Sequence, residues 1–267
     1  MAGRAERAQS FGAVAADYDR LRPAPAEAAV DWLVPAGAQV VVDVAAGTGL
    51  LTRELARRVP RVVAVEPDER MRAVLAARSP GVEVRPGRGE AIPLADASAD
   101  GVFISSAWHW MEPELALAEI TRVLRDGGRF GLIWTSRDRQ VPWLRDLSQR
   151  RAPDVAPPDE QACGSPGRRP RQVDLTAGVP LASPARTSFT YTRTMSVADF
   201  IGLQGTYSGV ITASAADQEA ERSRVEAALA ARFPGADEIE VPMRSECWRA
   251  DRTSRPGPAW TSTAQPT

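Results

Sequence analysis

The stretch from Val41 to Thr52, "VVDVAAGTGLLT", runs from branched apolar residues through an acid into the small residues Ala45, Ala46, Gly47, Thr48 and Gly49, and then into a helical pattern. Val40 to Val44 reads as a buried strand, the small residues as a bend, and Leu51, Leu55 and Val59 as one face of a helix. A strand, a glycine bend and a helix in that order open the strand-helix-strand unit of a parallel sheet, with the bend at the carboxyl end of the strand. The unit then repeats. Arg61 to Glu66 reads as a second strand, Met71, Val74 and Leu75 as a helix, and Val82 to Arg85 and Gly101 to Ser106 as two further strands. Leu117, Ile120 and Leu124 form a helical stripe that Gly127 and Gly128 would end before a strand from Phe130 to Trp134.

Upstream, Phe11, Val14, Tyr18 and Leu21 share a helix face. From Arg151 to Arg186 the chain carries seven prolines, few large apolar residues and the cluster Arg168, Arg169 and Arg171, which reads as a loop or disordered insertion with solvated arginines. Order resumes with a strand in "TSFTYTRTMS", a helix from Val197 to Leu203 and a helix whose stripe is Val225, Ala228, Leu229 and Phe233. A last strand lies in "IEVPMRSECWRA", and 254–267 reads as a frayed tail. The expected division is therefore 1–35 as a helical cap, 36–150 as a nucleotide-binding core, 151–186 as the insertion, 187–253 as the elements completing the sheet, and 254–267 as tail.

Composition removes several functions. With 267 residues, 43% of them hydrophobic, the chain can bury roughly three quarters of its unfolded surface, so it needs no staples. A formal net charge of -1 gives no basic footprint, which argues against nucleic acid or an anionic membrane as partner. All 33 basic residues are arginine, so amine chemistry of lysine is excluded. Cys163 and Cys247 are too few and too far apart for a disulfide framework or a metal site. No apolar run is long enough to span a membrane, and "MAGRAERAQS" has no apolar signal core, so a cytoplasmic location is expected.

What the bend holds follows from its charge. A phosphate-cradling loop needs a lysine after its second glycine, and there is none. A nicotinamide dinucleotide fold prefers G-x-G-x-x-G, but Thr52 stands where the third glycine belongs. Asp43 favours a third reading: a carboxylate at the strand end attracts a cation, and S-adenosylmethionine carries an amino group and a sulfonium but no phosphate. Glu66, 17 residues past Gly49 at the second strand's end, is placed to accept ribose hydroxyls.

Ordered motifs then resemble the class I S-adenosylmethionine-dependent methyltransferases, in the branch of small-molecule enzymes that includes trans-aconitate and ubiquinone/menaquinone methyltransferases. They are "FGAVAADYDRLRP", "VVDVAAGTG", "VVAVEPDERM", "PGRGEAIPLADASADGVF" with the "AWHW" that follows, and "EITRVLRDGGRFGLIW", covering roughly Phe11 to Trp143. The resemblance implies an α/β, Rossmann-like, doubly wound, mostly parallel seven-stranded sheet with an N-terminal helical cap, and S-adenosyl-L-methionine as cofactor. By position it puts Asp43, Ala45, Gly47 and Gly49 around the methionine part and Glu66 on the ribose. Pro67, Met71, Gly89 and Glu90 would lie near the adenine, Ser105 to Ala107 along the methyl path, and Tyr18 in the cap. Two residues depart from the family pattern: Ala45 where glycine is usual, and Arg88 where many members have an acid, which leaves the adenine edge to Glu90 or backbone carbonyls.

In-line methyl transfer needs a base only where the acceptor must lose a proton. His109, the only histidine, is a general base or hydrogen-bond donor to substrate, or else a packing imidazole. Trp108 and Trp110 line an acceptor pocket or belong to the core. Arg137, in "WTSRD", grips an acidic substrate or is a solvated loop arginine. The function expected is methyl transfer to a small-molecule acceptor. An NAD(P)-dependent oxidoreductase and a catalytically inactive S-adenosylmethionine-binding domain are the alternatives, and no residue pattern assigns the acceptor or an oligomeric state.

Overall fold

The computed structural model describes residues 15–149, 179–211 and 213–254. Two short helices, α1 (Ala15–Leu21) and α2 (Glu27–Leu33), precede β1 (Val40–Val44), α3 (Leu50–Ala56) and β2 (Arg61–Val65). Next come α4 (Glu69–Arg78), β3 (Glu83–Arg85), β4 (Ala99–Ser105), a single 3-10 turn (Trp108–Trp110), α5 (Pro113–Val123) and β5 (Leu124–Arg137). The described chain then forms α6 (Pro142–Gln149), β6 (Ala185–Ser196), α7 (Val197–Gly205), α8 (Ser208–Ile211), α9 (Ala215–Arg232) and β7 (Glu238–Asp251). The seven strands lie in the order β3-β2-β1-β4-β5-β7-β6. β1 to β5 are parallel, whereas β7 runs antiparallel to β5 and β6 antiparallel to β7. The order reverses between β1 and β4, so the crevice beyond their carboxyl ends is where such a sheet takes a ligand. The doubly wound, mostly parallel sheet read from the sequence is the one observed.

Two-residue alternation along the strands sorts the core into two layers. Val42, Val44, Val102, Ile104 and Leu132 pack with Leu117 and Ile120 of α5 on one face. Val41, Phe103 and Ile133 meet Leu33, Leu51 and Leu55 of α2 and α3 on the other. A third cluster, with Phe200, Leu203, Val225, Leu229 and Val241, joins α7 and α9 to β7. Phe103 has no exposed surface and lies against two glycines; a Cβ on Gly131, its partner in register across β4 and β5, would stand 2.7 Å from the ring.

Ion pairs and hydrogen bonds hold α1 from two sides. Asp19 pairs with Arg53 of α3 at 2.8 Å and with Arg78 of α4 at 3.6 Å. On the other side Arg193 of β6 donates to the Leu21 carbonyl at 2.7 Å, and Arg20 pairs with Asp199 of α7. The cap is thus fastened to both halves of the sheet.

Four expectations are corrected. The α5 helix ends at Val123, and Leu124 already pairs with Ala99; Gly127 and Gly128 form a bulge inside β5, where the register shifts and Gly127 takes φ +75°, rather than a helix cap. Val59 lies beyond α3. On α9 the buried stripe is Glu221, Val225 and Leu229, while Ala228 faces solvent, because the sheet side of the helix follows a spacing of four. The segment read as an insertion to 186 meets β6 at Ala185, and before that Leu181 bridges to Arg252. Phe11, Val14, Cys163, the arginines near 168 and most of the tail lie outside the described residues.

Gly131→Ala pushes a methyl into the Phe103 ring and should destabilise the fold by about 1–3 kcal/mol in urea unfolding, the cost of overpacking a filled core. Unchanged stability would mean that the ring can turn aside.

Candidate functional site

The bend after β1 takes its shape from three left-handed residues, Ala45 (φ +53°), Gly47 (+58°) and Gly49 (+88°). Gly49 sits against α4, where a Cβ would come within 3.0 Å of Leu75. Around Gly47 a Cβ would meet nothing within 4 Å, so that backbone borders open space. Ala45 holds the left-handed form with a side chain, at a strain of about 1–3 kcal/mol, so the departure from the usual glycine tightens the bend without breaking it.

Two buried carboxylates brace this bend. Asp43, with no exposed surface, accepts the Thr52 hydroxyl at 2.6 Å through Oδ2, while Oδ1 is buried without a hydrogen-bond partner. Glu66 accepts the Gly47 N–H at 2.9 Å through Oε2 and the Asp68 N–H at 2.9 Å through Oε1. Each of its oxygens keeps a lone pair for another donor. Burial pushes the Asp43 carboxyl up to about 7, the Thr52 hydrogen bond opposing and the nearby Glu66 charge adding to the rise. Burial also raises Glu66, against the two backbone N–H groups that favour its charged form. Arg53 ties the bend to the cap by donating to the Thr48 carbonyl at 2.9 Å and to Asp19 at 2.8 Å.

The remaining sequence-assigned residues lie as follows. Asp68 caps α4 by accepting from the N–H groups of Arg70 and Met71, which fixes Met71, buried, in the first turn beside exposed Pro67. Gly89 lies under Met111, whose sulfur would stand 2.5 Å from a Cβ there. Glu90 is engaged: its Oε1 accepts the Glu112 N–H at 2.9 Å at the start of α5, where Pro113 follows. Arg88 is exposed and bridges to Ala91. Ser105 ends β4, and Ala107 is buried just past it. Trp108 is buried in the core, packed on Phe130 at 5.6 Å between ring centres. His109 is half-buried with its ring 4.4 Å from that of Trp110. Tyr18 of α1 lies under the Arg22 guanidinium at 5.0 Å.

Arg137 is not a solvated loop residue. It ends β5 and is buried between the rings of Phe200 and Tyr207. Sequence reasoning also missed Thr52, which looked only like an absent glycine and in fact holds Asp43, and Arg53, whose two partners are far apart in the chain. An acid nine residues before a hydroxyl, across a strand-bend-helix turn, was the available signal for Thr52. For the Tyr207 ring, which the fold brings to both Arg22 and Arg137, there was none. Among the described residues no group of three or more His, Cys, Asp or Glu side chains is placed to hold a metal ion, and no described helix is long and apolar enough to cross a membrane.

A family profile described as a methyltransferase domain matches residues 42–132. The chain is 45% identical over 146 residues, 55% of its length, to an uncharacterised methyltransferase of Mycobacterium tuberculosis, and spans only 60% of that relative's length. It is 31% identical over 208 residues to an uncharacterised methyltransferase of Schizosaccharomyces pombe, covering 76% of this chain and 80% of that protein. A solved structure from Anaeromyxobacter dehalogenans, described as a candidate type II methyltransferase, superimposes with a TM-score of 0.65 over 86% of this chain and 97% of its own, at 24% identity, a likeness of fold.

The raised Asp43 carboxyl has a measurable consequence. Its folded value near 7 exceeds the unfolded 3.8, so the folded state binds the extra proton between these limits, and stability falls as pH rises from about 4 to 7. Asp43→Asn removes this dependence: relative to wild type, the ligand-free variant should gain about 1–4 kcal/mol between pH 4 and pH 8 in urea titrations. A pH-independent difference between the two proteins would contradict the assignment.

Proposed function

The chain belongs to the class I S-adenosylmethionine-dependent methyltransferase family, and we propose that it binds S-adenosyl-L-methionine in the crevice over β1, β2 and β4 and methylates a small-molecule acceptor. The observation that carries this reading is the buried Asp43 with one oxygen lacking a partner beside a backbone that borders open space at Gly47. An anionic oxygen there repels phosphate and attracts a cation, and the donor set fits a cofactor with an ammonium, a sulfonium and ribose hydroxyls.

Bound S-adenosylmethionine would supply a methyl group already activated on a sulfonium, so the chain's own part is binding and alignment. Asp43 holds the ammonium end, and Glu66 takes ribose hydroxyls on the lone pairs left by Gly47 and Asp68. Gly47 lets the backbone come close, Ala45 and Gly49 shape the bend on either side of it, and Tyr18 closes the cap over it. Pro67, Met71 and Gly89 bound the adenine. Glu90, engaged by Glu112, shapes that edge more than it recognises it. Ser105 and Ala107 border the path of the methyl group, with Trp110 and His109 on the acceptor side. His109 accepts a proton where the acceptor is an alcohol, phenol or amine, and serves only to pack where it is already an anion.

Calorimetric titration with S-adenosylhomocysteine tests these roles. Asp43→Asn and Glu66→Gln should each weaken binding at least about tenfold, the worth of one charge-assisted hydrogen bond, while His109→Gln leaves affinity unchanged. Folded variants of Asp43 and Glu66 that bind as tightly as wild type would overturn this placement of the cofactor.

A further inference from the structure

The end of β5 holds a charge that the cofactor does not use. Arg137 is 2% exposed, and its guanidinium makes no hydrogen bond or ion pair with any described residue; Nη1 is buried without a partner. Its neighbours are aromatic: the guanidinium carbon lies 5.4 Å from the centre of the Phe200 ring and 5.5 Å from that of Tyr207. The adjacent acid is paired with a different cation: Asp138 accepts from Arg244 at 3.0 and 2.9 Å and makes no bond to Arg137. Arg22 reaches the same Tyr207 ring from the cap, with its guanidinium carbon 4.2 Å from the ring centre; its Nη2 donates to the Thr206 carbonyl at 2.8 Å and its Nε is buried without a partner.

Ring faces attract a guanidinium but accept none of its in-plane N–H bonds, so the desolvation of Arg137 is only partly compensated among the described residues. A planar fork with open donors between apolar walls matches a carboxylate, which fills two N–H groups at once and brings a single negative charge. A phosphate would bring further oxygens into the same walls, with only the Arg22 Nε at hand to meet them.

We propose that Arg137, with Arg22 across the Tyr207 ring, anchors a carboxylate of the methyl acceptor. This rests on the methyltransferase reading above. Ser105 at the end of β4 pairs with Ile133, and Arg137 lies four residues further along β5, roughly 13 Å of extended chain. The carboxylate is therefore a handle rather than the methylated group, and the acceptor carries its nucleophile at a distance from it.

Thermal unfolding with saturating S-adenosylhomocysteine provides the test, using wild type, Arg137→Met and Arg137→Lys. The probes are acetate, 3-(4-hydroxyphenyl)propionate, the amide of the latter, and inorganic phosphate, at matched ionic strength. The carboxylates should raise the wild-type melting temperature saturably by about 2–4 °C, and the amide should not. Arg137→Met should lose the response, and Arg137→Lys, with a charge but no fork, should keep only a weak one and carries the comparison if Arg137→Met does not fold. Absence of a carboxylate response in wild type, an equal response in the variants, or a response to phosphate alone would overturn the proposal. Failure of wild type to bind S-adenosylhomocysteine in a separate titration would instead overturn the cofactor reading.

Discussion

The hydrogen bond between Asp43 and Thr52 joins the end of β1 to the first turn of α3, and the bend between them is held in one shape because of it. A carboxylate with no exposed surface is costly to keep, and a single hydroxyl satisfies only one of its oxygens. Glu66 completes the brace from β2 by taking the N–H of Gly47. Two like charges are thereby brought to one bend, and burial with mutual repulsion leaves the Asp43 carboxyl near 7. Such an arrangement is unfavourable alone and favourable with a cation, which is the sense in which the ligand-free bend is poised for binding.

Everything else in the site is positioned relative to that bend. Arg53 carries its position outward, from the Thr48 carbonyl to Asp19 of the cap, so the helix that bears Tyr18 is fixed to the glycine bend. On its other side the cap is fastened to β6 and α7 by Arg193 and Arg20. The same chain segment therefore reaches both ends of the site, with Asp19 paired to Arg53 beside the glycine bend and Arg22 stacked on Tyr207. The two unusual charges of the molecule, an anion at the end of β1 and a cation at the end of β5, lie on opposite sides of the sheet's switch point between β1 and β4.

Local chemistry was legible in the sequence wherever it repeats in register with the backbone. Val40 to Val44 is an apolar run, broken only by Asp43, that is buried on both faces, and Gly47 and Gly49 take positive φ, both of which residue type alone reveals. Gly127 and Gly128 were misread because a glycine pair after a helical stripe signals a cap equally well, and only the pairing of Leu124 with Ala99 shows that the strand has already begun. Trp108 and Trp110 are two residues apart in one turn, yet one is core and the other partly buried above it, a difference set by β5 and not by their own neighbours. Arg137 was ambiguous for the same reason: its burial comes from Phe200 and Tyr207, more than sixty residues downstream, in a region without a clear pattern.

The central claim is that the bend holds a cationic nucleoside cofactor and not a pyrophosphate, and parallel calorimetric titration of the wild-type protein with S-adenosylmethionine, S-adenosylhomocysteine and NAD tests it most directly. The structure predicts saturable binding of the two adenosyl ligands and none of NAD, since NAD would set its phosphates against Asp43 and Glu66. Binding of NAD with no binding of either adenosyl ligand would contradict the account.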